Sequence, residues 1–393
     1  MLKRFVLYGL PFLADLIVGL VLFVGRHSLA SRGFDEATVG SIVLCYGFGY
    51  VASSLMMAKI VTPARAKAEM LISLAVIVVI CLVLVNVQSL LLIQVVYCLF
   101  PLTVSLYFNA FQIYMLGISN EDARPLAITI GRFTFAWSVG YAVGPFVSSL
   151  LKNYSTWAQI YYLAAGVAVL MGLLLYRFKP LREERPETVT EPVAEQSRRR
   201  SLVPASWVGV LVGWTIYNAV VIYWPVQAVQ LGVSSTMKGM VEFAFAAAQA
   251  VSALALSYVP GWHHKPKWLA GLGALAVIAL VLFSSGTYAP LLVAAGLLYG
   301  IYTGGMFSHL AYHSMLEEDK AVRRVALTET VVGICFLIAS PLAGLLHRPG
   351  TPFGGSYLRL AWILAAGLIA QALYAAYLLR REDNVAAEVP GTA

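Results

Sequence analysis

Gly140-Tyr141-Ala142-Val143-Gly144-Pro145 sits in the fifth of a series of long apolar runs, and its surroundings occur twice in the chain. Before it come Glu121-Asp122-Ala123-Arg124 and Arg132. Further along, Glu317-Glu318-Asp319-Lys320, Arg323-Arg324, Glu329 and Ser340-Pro341 follow in the same order. Pro145 and Pro341 stand 196 residues apart, about half of the 393-residue chain. A fixed internal period of this kind means one structural unit used twice.

The repeated unit is made of membrane-length segments. Hydrophobic residues make up 60% of the chain and charged residues 12%, with a mean hydropathy of +0.79. Soluble domains run at roughly 45–50% and about 25%, so an ordinary soluble enzyme is excluded. Apolar stretches fall at 5–27, 37–58, 69–87, 90–117, 125–150, 156–178, 204–228, 237–259, 267–285, 289–315, 324–346 and 357–379. Each is near the ~20 residues that cross a hydrocarbon core of about 30 Å. Barrel strands would be about 10 residues long with alternating polarity, which these are not. The expected fold is an all-α membrane protein with twelve transmembrane helices in two pseudo-symmetric six-helix bundles.

The net charge of +8 reports topology, not a nucleic-acid partner. With the N-terminus cytoplasmic, twenty Lys and Arg lie on that side. Only six (Arg26, Arg32, Lys152, Lys238, Arg348 and Arg359) lie opposite, and Arg132 is inside a helix. This is a strong positive-inside bias and predicts a multi-pass protein of the cell's inner (plasma) membrane with both termini cytoplasmic. Lys3-Arg4 before an apolar run resembles a signal peptide, but Asp15 interrupts the run and its removal would destroy the match between halves. Cys45, Cys81, Cys98 and Cys335 all lie within spans, as expected of buried thiols and not of a disulfide framework or zinc site.

Residues 1–178 form the N-terminal six-helix bundle and 204–380 the C-terminal one. Between them, 179–203 carry Pro180, Pro186, Pro192 and Arg198-Arg199-Arg200, with almost nothing apolar to bury. That composition predicts a disordered cytoplasmic linker, and 381–393 a disordered tail. The third, sixth, ninth and twelfth spans are almost wholly apolar and suit lipid contact; the first, fourth, seventh and tenth carry most polar groups and suit a bundle interior. Each half therefore has a three-helix sub-period.

Six plus six helices, a long middle loop and central first, fourth, seventh and tenth helices resemble the major facilitator superfamily. In that family inverted three-helix repeats build each half, and the halves rock about a site near the midplane. Gly140 to Pro145 is similar to its GxxxGP element, where small residues let two helix backbones approach and the proline bends the helix. Two features depart from the family. The loop between the second and third helices keeps Lys59, Arg65 and Lys67 without the usual Gly and Asp, and its second-half counterpart, 261–267, also lacks the acid. The fourth helix lacks the arginine motif common in proton-coupled drug exporters.

Four ionisable residues within spans are candidates for proton coupling or gating: Asp15, Arg132, Glu242 and Glu329. Burying a charge in a bilayer helix costs at least about 2.5–3.5 kcal/mol, which makes a functional role the default. Asp15, near the middle of the first helix, is the best candidate for a proton carrier or substrate contact, the alternative being a structural pair. Arg132 can bind a carboxylate or phosphate or pair with an acid across the interface. Glu329 stands almost at its equivalent position, so the two could form a cytoplasmic gate. Glu242, one turn from Lys238, is within reach of the outer interface. Substrate-binding candidates are Tyr107, Asn109 and Gln112 of the fourth helix, Trp214 and Asn218 of the seventh, and Tyr302 and His309 of the tenth. The His309 and His313 spacing could ligate a metal or gate with pH. No carboxylate or thiol lies within the same span, and no metal or cofactor is expected.

The absence of a Gly-rich phosphate loop ending in Lys-Ser/Thr argues against ATP as the energy source, and no catalytic constellation marks an enzyme. The expected function is secondary active transport of a small organic solute by a monomer, with protons as driver. Efflux of amphipathic drugs or lipids, or a non-transporting receptor or assembly factor on the same scaffold, are the alternatives.

Overall fold

A computed structural model describes residues 2–60, 62, 64–119, 126–177, 202–286, 288–315, 318–347 and 352–388. Among these residues every regular element is helical. Six helices make the first half: α1 (Leu2–Ser31), α2 (Glu36–Ile60), α3 (Ala66–Asn86), α4 (Leu90–Ser119), α5 (Leu126–Lys152) and α6 (Trp157–Arg177). Six make the second: α7 (Val203–Gln230), α8 (Ser235–Ser257), α9 (Pro266–Ser284), α10 (Ala289–Met315), α11 (Glu318–Leu346) and α12 (Gly354–Glu388). All twelve contain a window long and apolar enough to cross a membrane, and each coincides with a span read from the sequence. α12 continues through Glu388, eight residues into the stretch expected to be disordered; Arg, Glu and Ala in that stretch are good helix formers. The remainder of the expected tail, the linker and the acidic loop at 121–124 lie outside the described residues.

The helices pack with the two-fold relation that the sequence period implies. α1 lies on α5 as α7 lies on α11, α2 on α4 as α8 on α10, and α3 on α6 as α9 on α12. The halves meet along two equivalent seams, α5 against α8 and α11 against α2. Small residues bring the helices of the seams close together. Ser149 fills the space beside Gly239, Ser257 lies under Gly131, and Ser340 under Gly40. Glycines also join α5 to α1. A methyl added to Gly140 would come within 2.0 Å of the Phe12 carbonyl oxygen, and one on Gly144 within 2.6 Å of the Gly19 carbonyl carbon. The GxxxGP element is thus a backbone-to-backbone contact inside the first half.

α3, α6, α9 and α12 lie on the outside. They expose Ile72, Val79, Leu173, Ile278, Trp362 and Leu373, side chains at home in hydrocarbon. α7 is the most enclosed helix, buried from Gly213 through Ala228. Between α8 and α9, Gly261 adopts a left-handed φ of +62°, which turns the chain into a short 3-10 turn, Trp262–His264. Trp262 there is fully buried. The four cysteines are free thiols, with Cys81 and Cys335 buried and Cys45 and Cys98 half-buried.

Candidate functional site

A cavity lies on the axis between the halves, at the level of Asp15 and toward the end of the bundle where α1 begins. It amounts to about 1430 Å³, counting the part open to solvent. α1, α2, α4, α5, α7, α10 and α11 all contribute to its lining. Asp15 is about 20 Å along α1 by helical rise, near mid-bilayer, and only 8% exposed. Glu329 of α11 faces the same space, and its charge acts on Asp15. The Tyr50 hydroxyl of α2 donates to Glu329 Oε2 at 2.5 Å, so this bond joins the two halves.

Aromatic rings form much of the remaining wall and also cross between halves. Trp137 of α5 meets Phe307 of α10 edge-on at 5.6 Å, and Tyr46 of α2 meets Phe336 of α11 edge-on at 4.9 Å. Phe307 in turn abuts Trp214 of α7, which stacks on Tyr217 at 4.4 Å. The Trp214 Nε1–H has no hydrogen-bond partner among the described residues. Among the described residues lining the cavity there is no Lys, Arg or His.

The opposite end is closed by polar contacts between the halves. Arg26 Nη2 donates to Glu242 Oε2 at 2.6 Å, and His27 Nε2 lies 2.9 Å from Glu242 Oε1. These three side chains are 2–3% exposed. Tyr141 and Tyr217 stand beside the pair, one from each half. Nearer that surface Asn153 Nδ2 donates to Thr236 Oγ1 at 2.9 Å, and His347 Nε2 lies 3.7 Å from Glu36 Oε1. Arg26 is eleven residues beyond Asp15, about 16 Å along the helix, so the ion pair forms a plug above the cavity. At the entry to α2, Asp35 Oδ1 accepts from the Thr38 backbone N–H at 2.9 Å. Thr38 holds the Asp35 carboxyl below its ordinary range.

The sequence-derived residues scatter around this geometry. Asp15, Glu329 and Trp214 line the cavity. Glu242, expected within reach of the outer interface, is buried because α5 and α10 cover its helix, and its partner is Arg26 of α1. Arg132 points into a separate groove with Tyr8 and Phe12, donates to Tyr258 Oη at 3.4 Å, and does not meet Glu329. Asn109 Nδ2 donates to the Ser105 carbonyl at 2.8 Å and Asn218 Nδ2 to that of Trp214 at 2.8 Å, so both amides bond to their own helices. Tyr107 stacks on Phe111 with its hydroxyl unpartnered. Tyr302 reaches the Gly209 carbonyl at 3.5 Å. The side chain of Gln112 lies outside the described residues.

His309 turns away from the cavity. Its Nδ1 meets Ser206 Oγ at 2.8 Å, and its Nε2 donates to the His263 carbonyl at 2.9 Å. His313 Nε2 donates to the same carbonyl at 3.1 Å while its Nδ1 accepts from the Leu202 N–H. The histidine pair therefore ties the 3-10 turn to α10 and to the start of α7. Among the described residues no group of three or more His, Cys, Asp or Glu is placed to hold a metal.

Arg26, His27, Tyr50, Trp137 and Tyr141 were not selected from the sequence. Tyr50 is the one with a local signal. It stands one turn from Tyr46, and both phenol rings share one face of the helix. Arg26 and His27 sit in the last two turns of an apolar helix, where a basic group reads as an interface residue.

Comparison with solved structures shows the same architecture elsewhere. The nucleoside transporter NupG aligns at a TM-score of 0.65 with 14% identity, over 96% of this chain and 99% of that one. The human organic anion transporter MFSD10 (TETRAN) aligns at 0.65 with 14% identity, over 94% and 98%. No curated protein matches the chain. The family model described as Major Facilitator Superfamily matches residues 7–317, about four-fifths of the chain. With twelve membrane-length helices in two related halves around a central cavity, this multi-pass membrane protein belongs to the Major Facilitator Superfamily of transporters.

Proposed function

We propose that the protein is a proton-coupled secondary transporter that carries a small organic solute through the central cavity by alternating access. The observation that carries this reading is the pairing of a cavity open at one end with a buried inter-half ion pair, Arg26–Glu242, closing the other. With both termini cytoplasmic, as the distribution of Lys and Arg favours, the conformation is open to the cytoplasm of a cell whose plasma membrane it spans as a monomer. Asp15 and Glu329 supply groups able to load and release protons within the solute's path. When Arg26 and Glu242 separate and the cavity closes below, the same site faces the other side.

NupG and MFSD10 carry the names of a nucleoside and an organic anion transporter. At 14% identity neither substrate transfers to this chain. Efflux of an amphipathic compound is a second reading, favoured by the aromatic wall of the cavity.

The test begins with a ligand panel on purified protein, read by thermal shift at several pH values. Hits are then followed in proteoliposomes. Asp15→Asn should abolish accumulation driven by a pH gradient while leaving counterflow intact. Normal accumulation by this variant rejects the coupling role of Asp15. Absence of flux for every panel member favours a non-transporting receptor or assembly factor.

A further inference from the structure

We infer that the central cavity takes an organic cation with an aromatic or bulky apolar body, and that this cation and a proton displace one another at Asp15, so that the protein exchanges the two. The inference rests on the cavity being the transport site. Asp15 is 8% exposed, faces the cavity, and makes no hydrogen bond or ion pair with another described residue. An ionised carboxylate in that position is costly without a positive partner. The described lining supplies none, since it contains no Lys, Arg or His. Two basic groups within the spans are engaged elsewhere: Arg26 with Glu242 in the plug, and Arg132 in its own groove with Tyr258. Either a proton or a solute cation must neutralise Asp15.

The rest of the wall suits the cation better than other solutes. Nine aromatic rings line the described cavity, and a ring face attracts a cation most strongly where water is excluded. In the described lining an anion would meet two carboxylates and no basic side chain. Asn109 and Asn218, the amides a sugar-like solute would use, bond to their own helices and are not among the residues lining the cavity. The titratable groups around Asp15 are Glu329 of α11, Tyr46 and Tyr50 of α2, Tyr107 of α4 and Tyr141 of α5, and Glu329 is the one acid among them. In the exchange step the Asp15 carboxyl gives its proton to water in the open mouth as the cation settles against the carboxylate. Reprotonation from the other side releases the cation. No covalent bond to the solute forms.

Binding of tritiated tetraphenylphosphonium to the purified full-length protein tests the site. Tetraphenylborate, of the same shape and opposite charge, is measured separately by thermal shift. Saturable cation binding is expected, at least fivefold tighter at pH 8 than at pH 6, with no shift from the borate. Asp15→Asn should weaken the cation at least tenfold and flatten its pH dependence, and Asp15→Glu should retain both. Should Asp15→Asn fail to fold, the cation–anion contrast and the pH series on the unaltered protein still decide. Equal stabilisation by the borate, or no saturable cation binding, overturns the proposal. Uptake of 1-methyl-4-phenylpyridinium into proteoliposomes with the membrane potential clamped and the pH gradient varied then separates the two readings. Cation binding without flux overturns the carrier reading and the exchange built on it, leaving a cation site. Gradient-driven flux of a neutral nucleoside or an anion without cation binding leaves the carrier and overturns the cation site.

Discussion

Arg26 and Glu242 belong to opposite halves of the chain, yet their side chains meet at 2.6 Å and are 3% and 2% exposed. A charge pair this enclosed stabilises one arrangement of the halves chiefly because separating the partners, or deleting one, strands the other in a medium of low polarity. Breaking a buried pair in this way costs about 3–5 kcal/mol. His27 at 2.9 Å adds a second contact to the same carboxylate.

Arg26→Gln should therefore open the closed end. In a background with the four cysteines replaced, a cysteine at Leu22, which lines the cavity, should react with an impermeant maleimide from the far side at least tenfold faster in the Arg26→Gln protein. Unchanged labelling would show that the pair is not what closes this end. Arg26→Leu combined with Glu242→Leu should label more slowly than either single change, because no charge is left stranded.

Tyr50→Phe removes the 2.5 Å hydrogen bond to Glu329 and one of the polar links between the halves. A hydrogen bond to a charged group contributes about 1.5–3 kcal/mol. Solute affinity should change less than threefold, while the rate of exchange should change by about tenfold or more. An affinity loss with an unaltered rate would place Tyr50 in solute binding instead.

Glycine packing gives a stability prediction with an internal control. Gly144→Ala forces a methyl onto the backbone of Gly19, whereas nothing lies within 4 Å of a methyl added at Gly172. Overpacking costs about 1–3 kcal/mol, and replacing an unstrained helical glycine gains up to about 1 kcal/mol. Gly144→Ala should lower the unfolding midpoint and Gly172→Ala hold or raise it. Equal effects would contradict the close approach of α1 and α5.

Burial, and then the neighbouring His313 and His264 rings, push His263 down from 6.5 to about 3. Between those values the unfolded chain binds this proton and the folded one does not. The contribution to stability is therefore fully present above about pH 6.5 and is lost as pH falls toward 3. Thermal unfolding at pH 7.5, 6 and 5 should show a declining midpoint, with a smaller decline in His263→Gln. An identical slope in the variant would assign the acid sensitivity to other groups.

The parts of this molecule legible in its sequence are those written in local periodicity. Twelve spans and the four lipid-facing helices follow from apolar length and from where polar groups are missing. Asp15 was legible because nothing in α1 can carry a charge to an interface. Glu329 was legible through the repeat. Arg26 was not, because its role depends on Glu242, 216 residues away. Glu242 beside Lys238 reads locally as a surface pair, and only the cover of α5 and α10 encloses it. Asn109 and Asn218 look like substrate contacts in sequence, but the carbonyl one turn earlier satisfies them first. The His309 and His313 spacing sets a shared face, yet that face turns to the carbonyl of His263. Periodicity tells which residues lie together on a helix. It does not tell which neighbour the face meets.

The contrast between the two sides of α5 has a mechanical consequence. Toward α1, glycines weld backbone to backbone, so Asp15 and Tyr141 travel as parts of one casting. Toward α8, and likewise where α11 meets α2, serine and glycine bring the halves close, between ring contacts such as Phe146–Phe243 and Tyr46–Phe336. A machine with rigid castings and close-set joints can be braked without being broken. A bulkier side chain at Gly40 or Gly239 should jam the joint and arrest turnover while leaving each half, and the cavity's own wall, assembled.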